Sequence, residues 1–295
     1  MRILLTGTSG QLGWELRRSL ALLGELITPG RGQFDLADVG SIRSHLDQIR
    51  PDLIVNPGAY TAVDKAETEQ AGAFAVNAEA PGEMARWCAA HGRRLVHYST
   101  DYVFNGGGTT AFVEGDPTGP VNVYGQSKLA GEQAIQASGC EHLILRTSWV
   151  YAARGSNFLN TMLRVAASRP ELRVVDDQIG APTPARMLAD ATTIALTRIG
   201  AMRPMDSHLA GVFHVAPAGF TSWHGFAMAI MALRTELEGS EAPRVLAIPT
   251  TEYPTPASRP LNSRLDCTRF AQAFGVTFPH WQDLLRHVMN DRLGG

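Results

Sequence analysis

The chain is 295 residues long, 44% hydrophobic and 18% charged, with a formal net charge of −2 and a pI near 6.5. This balance excludes a disordered or fibrous polymer, and the scattered Lys and Arg leave no basic stripe of the kind that holds nucleic acid. No apolar run is long enough to cross a bilayer, and the short run after Met1-Arg2 breaks at Thr6-Gly7, so the expectation is a cytoplasmic protein with no membrane partner. Cys88, Cys140 and Cys267 are odd in number, far apart and without metal-ligand spacing, which fits small core residues in a reducing compartment.

Residues 2–6 read as a buried strand and 11–23 carry apolar residues at helical spacing, so the chain opens strand, glycine turn, helix. Apolar runs recur at 25–28, 53–56, 94–98 and 142–146, separated by helical stretches at 39–50, 71–91 and 124–138. Strands alternating with helices at this spacing predict an α/β fold, a doubly wound parallel sheet of Rossmann type covered on both faces. After residue 150 the rhythm changes to a helix at 157–168, a strand at 172–175, and Ala181-Pro182-Thr183-Pro184 before another helix. The division expected is a dinucleotide-binding domain over 1–150, to which later segments can return, and a smaller, mainly substrate-binding α/β domain over 151–295. Residues 250–264, with Pro254, Pro256 and Pro260, read as an ordered surface loop near a ligand.

In a doubly wound sheet the ligand crevice lies at the carboxyl ends of the strands. Directly after the first strand stands Gly7-Thr8-Ser9-Gly10-Gln11-Leu12-Gly13, leading into the first helix. Glycines there allow a tight turn and close backbone approach to a pyrophosphate, and the helix start favours its negative charge. A plain turn is the competing reading, since the chain has 29 glycines. No acid ends the second strand to bond a ribose 2′-hydroxyl; Arg31 is there instead, suited to a 2′-phosphate. NADPH is therefore expected, with NADH also admitted, against the alternative that Arg31 is a solvated loop cation.

Tyr124 and Lys128 stand four residues apart at the start of a helix, hence on one face. A phenol is a poor acid–base near neutrality, and a neighbouring ammonium would bring its pKa closer to the working range. Alone, such a pair is an ordinary helix surface feature. Ser99-Thr100-Asp101-Tyr102, just after the fourth core strand, adds a hydroxyl where a substrate carbonyl would sit, although the same residues are also common turn formers.

Taken together, Gly7-xx-Gly10-xx-Gly13, Ser99–Phe104, Tyr124-Gly125-x-Ser127-Lys128-Leu129-Ala130-Gly131-Glu132 and Arg146–Tyr151 resemble the extended short-chain dehydrogenase/reductase family acting on nucleotide sugars. Within it, Thr61–Glu67, Asp177-Gln178-x-Gly180-Ala181-Pro182-Thr183 and Tyr253–Pro260 resemble the dTDP-4-dehydrorhamnose reductases, over almost the whole chain. The resemblance implies hydride transfer from a nicotinamide to the C4 ketone of a nucleotide-sugar substrate. Tyr124 would be the proton donor, Lys128 the residue that lowers its pKa and holds the ribose, and Thr100 the carbonyl's hydrogen-bond partner. The same resemblance implies cofactor contacts from Gly7, Gly10, Gln11, Leu12, Gly13, Arg31, Asp35, Leu36, Ala59, Tyr60, Thr61 and Tyr98, beside Tyr124 and Lys128. Val63, Asp101, Tyr102 and Trp149 would line the sugar pocket with Thr100.

Two departures stand out. Asn56-Pro57-Gly58-Ala59 replaces the Asn-Ala-Ala-Ala of many relatives. Some members dimerise through magnesium held by acids; Glu15 is present, but Arg186 puts a cation where a second acid would be expected, so no metal site is assigned and magnesium is left open between a monomer and a homodimer. A nucleotide-sugar epimerase or dehydratase shares this fold, but Thr100 is followed by Asp101-Tyr102 and not by the Asp-Glu pair of the dehydratases. An inactive nucleotide-binding regulatory subunit is the non-enzymatic alternative, disfavoured by intact Thr100, Tyr124 and Lys128. The nine histidines show no paired metal-ligand spacing, and His97, His214 and His224 read as structural.

Overall fold

The computed structural model describes residues 1–200 and 204–293. In chain order, β1 (Arg2–Leu5), α1 (Gln11–Ser19), β2 (Glu25–Ile27), α2 (Val39–Ile49) and β3 (Leu53–Asn56) come first. Two short helices, α3 (Val63–Ala66) and α4 (Gln70–Phe74), then run through a π turn at Ala75–Glu79 into α5 (Ala80–His91). β4 (Arg94–Thr100), α6 (Val123–Ala137) and β5 (Glu141–Thr147) complete the first half. The second half contains β6 (Val150–Tyr151), α7 (Phe158–Ala166), β7 (Glu171–Val175), β8 (Ile179–Gly180), β9 (Thr183–Pro184), α8 (Ala185–Ile199) and β10 (Gly211–His214). It ends with β11 (Thr221–Ser222), α9 (Trp223–Glu238), β12 (Arg244–Ile248), α10 (Thr268–Phe274) and α11 (Trp281–Leu293).

Six strands form one parallel sheet in the order β10-β5-β4-β3-β1-β2. Both faces of the sheet are covered, so the middles of its strands are apolar on both sides, and alternate residues serve alternate layers. Ile3 and Leu5, Leu53 and Val55, and Leu143 and Leu145 point into one core with Leu16 of α1 and Leu188 and Ala195 of α8. Leu4, Ile54, Leu95 and Ile144 point the other way, onto Ile42 and Leu46 of α2 and Met84 and Trp87 of α5. Residues beyond 150 thus return to the sheet, α8 beside α1 and β10 beside β5. A separate core joins Leu159 of α7, Phe226 and Ile230 of α9, and Leu285 and Met289 of α11.

The chain leaves β1 outward to β2 and comes back on its other side at β3, so the strand order reverses between β1 and β3. A crevice opens there because the loops after the two strands diverge. Helix α6 is set on the sheet by close backbone approach: a Cβ on Gly131 would lie 2.1 Å from the Asn77 carbonyl oxygen, and one on Gly125 2.3 Å from that of Tyr102. It starts on the Asn122 side chain, which accepts from the Gly125 N–H at 2.8 Å. Farther along, Glu132 receives two bonds from the Arg146 guanidinium of β5, at 2.9 and 2.6 Å, with both residues buried.

Removing one partner of that pair strands a charge in the core. Glu132→Ala is expected to lower the unfolding free energy by about 3–5 kcal/mol, read from urea denaturation. A loss below about 1 kcal/mol, the range of exposed pairs, would mean that water reaches Arg146 in the folded chain.

Candidate active site

A cleft of about 900 Å³ runs along the carboxyl ends of β1, β3, β4 and β5. Each residue singled out in the sequence as a cofactor, substrate or catalytic contact borders this one cleft.

At one end is the glycine turn. Gly7 has φ of +56°, a left-handed conformation, and a Cβ on it would stand 2.7 Å from Gly58 after β3. A Cβ on Gly13 would stand 2.2 Å from the Gly7 carbonyl oxygen. Side chains at these positions would force apart the two strand ends that make the crevice. α1 begins at Gly10 with no side-chain cap, which leaves its first-turn N–H groups for an anion. Arg31 is 82% exposed at the rim, with a loose ion pair to Asp35 at 3.5 Å.

At the other end, Thr100 closes β4 and its Oγ1 donates to Asp101 Oδ1 at 3.1 Å and accepts from the Tyr102 N–H at 3.2 Å. Tyr124 lies edge-on to Tyr102, ring centroids 5.6 Å apart. The sequence led to the expectation that Lys128 pulls the phenol's pKa down; here burial dominates and pushes Tyr124 up to about 12, opposed by a hydrogen bond with Thr100 and reinforced by the Asp101 charge. The reason is geometric: Lys128 Nζ is engaged elsewhere, donating to the Tyr98 carbonyl at 2.6 Å and to His97 Nε2 at 3.1 Å. Burial lowers Lys128 to about 8, against the pull of Glu132. Burial likewise raises Asp101 to about 7, against hydrogen bonds from Ser263 and Thr100.

Several cleft residues escaped the sequence reading. Ser99 Oγ and Thr147 Oγ1, like Oδ2 of the expected Asp101, are buried without a partner among the described residues, at the ends of adjacent strands. Trp223, from α9, stacks on Trp149 with centroids 3.7 Å apart and planes 12° from parallel. Arg154, Gly155 and Ser156 complete the rim. Ser99 and Thr147 stand in the blocks that resemble the family without having been given a role; Arg154, Gly155, Ser156 and Trp223 reach the cleft through tertiary packing that nothing in the local sequence marks. The proline-rich segment 250–264 does not border the cleft; it is pinned beside it by Arg259 on Asp64 at 2.8 Å and by the Asn122 amide donating to the Ser258 carbonyl at 2.7 Å. His214 is buried, with Nδ1 at 3.1 Å from the Phe112 carbonyl. His224 Nε2 lies 3.3 Å from the Val245 carbonyl.

The clash-limited glycine cradle, the uncapped helix start and the orphaned polar atoms at the strand ends fit a bound dinucleotide. Together with Thr100, Tyr124 and Lys128 they define the extended short-chain dehydrogenase/reductase class. The family model described as the RmlD substrate binding domain matches residues 1–293, and the chain belongs to that family. A Burkholderia thailandensis protein named dTDP-4-dehydrorhamnose reductase is 48% identical over 297 residues, covering 99% of both chains. Among solved structures, the dTDP-4-dehydrorhamnose reductase of Clostridium acetobutylicum superposes with a TM-score of 0.89 at 32% identity, covering 98% of this chain and 99% of that one. That of Bacillus anthracis, in complex with NADP, has a TM-score of 0.89 at 31% identity over the same shares.

Asp101→Asn removes the buried charge and keeps the shape. With the carboxyl raised, Asp101's contribution to stability is present at low pH and is lost as pH rises from the ordinary 3.8 through about 7. The Asn variant's gain in melting temperature over the parent is therefore expected to be larger at about pH 8 than at about pH 4. An offset independent of pH would show that Asp101 is solvated.

Proposed function

We propose that this protein reduces the C4 ketone of dTDP-4-dehydro-L-rhamnose to dTDP-L-rhamnose, the last step in making that nucleotide sugar. The observation that carries the reading is one cleft with the glycine cradle at one end and Thr100, Tyr124 and Lys128 at the other. The substrate comes from the name shared by full-length relatives. In this reading residues 1–150 with α8 and β10 hold the dinucleotide, and the remainder of 151–295 mainly shapes the sugar site.

Gly7, Gly10, Gln11, Leu12 and Gly13 hold the pyrophosphate of the cofactor on main-chain N–H groups, and Ala59, Tyr60, Thr61 and Tyr98 flank it. Asp35 and Leu36 receive the adenine, and Lys128 holds the nicotinamide ribose. Reduced nicotinamide supplies the hydride when bound. Thr100 hydrogen-bonds the ketone oxygen and so stabilises the negative charge that develops on it, while Val63, Asp101, Tyr102 and Trp149 hold the sugar. Tyr124 gives its proton to the C4 oxygen as the hydride arrives at C4, completing the alcohol; the phenolate regains a proton from solvent. Arg31 favours NADPH over NADH by meeting a 2′-phosphate. Glu15 is engaged by Arg18 and Arg186, both at 3.3 Å, and Arg186 also holds Asp291 at 2.5 Å. A cation thus occupies the acidic cluster, which supports a monomer, or a homodimer with no magnesium bridge.

The test is loss of the reduced-nicotinamide absorbance when the protein is mixed with dTDP-4-dehydro-L-rhamnose and either cofactor. Tyr124→Phe is expected to lower kcat by at least about 100-fold. Cofactor binding without turnover in the parent would put the regulatory-subunit reading first. Arg31→Ala is expected to raise the KM for NADPH about tenfold and leave that for NADH within about twofold; equal effects would make Arg31 a bystander.

A further inference from the structure

Beneath the cleft a buried chain of polar groups crosses three adjacent strands. Thr6 Oγ1, at the end of β1, donates to Asn56 Oδ1 at 2.6 Å, at the end of β3. The Asn56 amide nitrogen lies 3.2 Å from His97 Nδ1 of β4, and His97 Nε2 lies 3.1 Å from Lys128 Nζ. Thr6, Asn56, His97 and Lys128 are all buried, His97 and Asn56 completely. An ammonium is an obligate donor, so Nε2 is the acceptor and Nδ1 carries the ring proton, which the Asn56 main-chain carbonyl receives; the Asn56 amide nitrogen, itself a donor, only packs against Nδ1 in this tautomer. Burial and the Lys128 charge both hold His97 well below its ordinary pKa, so the ring is neutral and keeps that acceptor.

We propose that His97 is a positioning residue for Lys128: its neutral imidazole, held by the Asn56 main-chain carbonyl of β3, fixes the ammonium against the Tyr98 carbonyl and leaves one N–H for the cleft. The inference rests on the reductase reading and adds to it a residue, outside the cleft, that ties the lysine to β4 and β3. Two of the three ammonium protons are engaged inside the protein, so the direction of the third is set by the geometry of β4 and not by the flexible lysine stem. The other groups acting here are few. Glu132 lies one turn on along α6 and is itself held by Arg146 of β5. Tyr124 on α6 and Asp101 after β4 face the cleft side, and the π turn contributes the neutral Asn77, whose amide donates to Ser127 Oγ at 3.0 Å.

The sequence makes a direct test simple, because Lys65 and Lys128 are its two lysines. With lysine labelled at the ε carbon, NMR follows both ammonium groups through a pH titration with no cofactor or substrate present. The amide of His97→Gln reaches the place of Nε2, whereas that of His97→Asn reaches only the place of Nδ1. The expected result is a Lys128 titration in the Asn variant about one pH unit below the parent, since a bond to the charged form has been removed, and a return to the parental value in the Gln variant. In turnover, the Asn variant is expected to lose about tenfold in kcat with the sugar-nucleotide KM within about twofold, and its activity to fall at lower pH on the basic side. Unchanged Lys128 titration in both variants overturns the proposal, as does a kcat loss that follows melting temperature while the pH profile stays fixed. A parent without turnover would count against the reductase reading alone, and the Lys128 titration would still decide this one.

Discussion

Lys128 is a cation with almost no access to water, and much of the surrounding structure answers to that constraint. Taking an ammonium out of water is unfavourable by several kcal/mol unless acceptors replace the lost hydration. The acceptors here are a main-chain carbonyl and a neutral imidazole on one strand, β4, with Glu132 of the same helix adding its charge from one turn away. These contacts fix the height and rotation of α6 over the sheet. Once α6 is so fixed, Tyr124, one turn earlier on the same face, cannot avoid the end of β4, where Thr100 and Asp101 stand. The Tyr124 phenol is placed by satisfying a buried charge.

The segment Tyr124–Glu132 can be read residue by residue in this light. Gly125 and Gly131 let α6 touch the Tyr102 and Asn77 carbonyls; Ser127 takes the Asn77 amide and donates to the Tyr124 carbonyl at 2.8 Å; Glu132 binds Arg146. Neighbouring motifs lock together in the same way. Asp64, after β3, holds Arg259 and accepts from the Ala257 N–H at 3.2 Å, while Glu67 accepts from the Val123 N–H at 2.9 Å. Asp177 accepts from the Thr250 N–H, tying the turn after β7 to the loop after β12. The stretches that resemble the family outside the catalytic helix are thus struts of the cleft wall, not all of them contacts with a ligand.

This distinction explains what was legible in the sequence. The alternating strands and helices, the glycine turn and the Tyr–Lys spacing are local signals: period, conformational freedom and helical geometry each act within a few residues. They sufficed for the parallel sheet and for one set of residues around one cleft. The sixth strand, Gly211–His214, was hidden because a strand at a sheet edge owes its place to a partner 68 residues earlier, Leu143, and not to its own four residues. Arg154 and Trp223 were hidden for the same reason. His97 was read as a satisfied core histidine, which describes its burial; that its partner would be Lys128 follows only from the alternation of β4, which turns residue 97 toward α6 and residue 98 toward α8, where the Tyr98 hydroxyl meets Thr192 Oγ1 at 2.8 Å.

The two ends of the cleft are consequently built on different principles. The dinucleotide end is made of backbone: positive-φ glycine, clash-limited approach and helix N–H groups, all of which demand particular residues at particular spacings. The opposite end is walled by an indole. Trp149 is held at φ of +49°, a conformation unfavourable for a large side chain, between Trp223 on one face and Gly180, where a Cβ would come within 2.8 Å of the ring. Such strain persists only where surrounding packing over-determines it. Here the packing comes from β5, β8 and α9, so the second body reaches the ketone end chiefly through one stacked pair of rings. A wall of that kind can change its partner ring while the sheet edge, the lysine and the tyrosine stay as they are, so the shape of this end of the cleft is set separately from the placement of Tyr124 and Lys128.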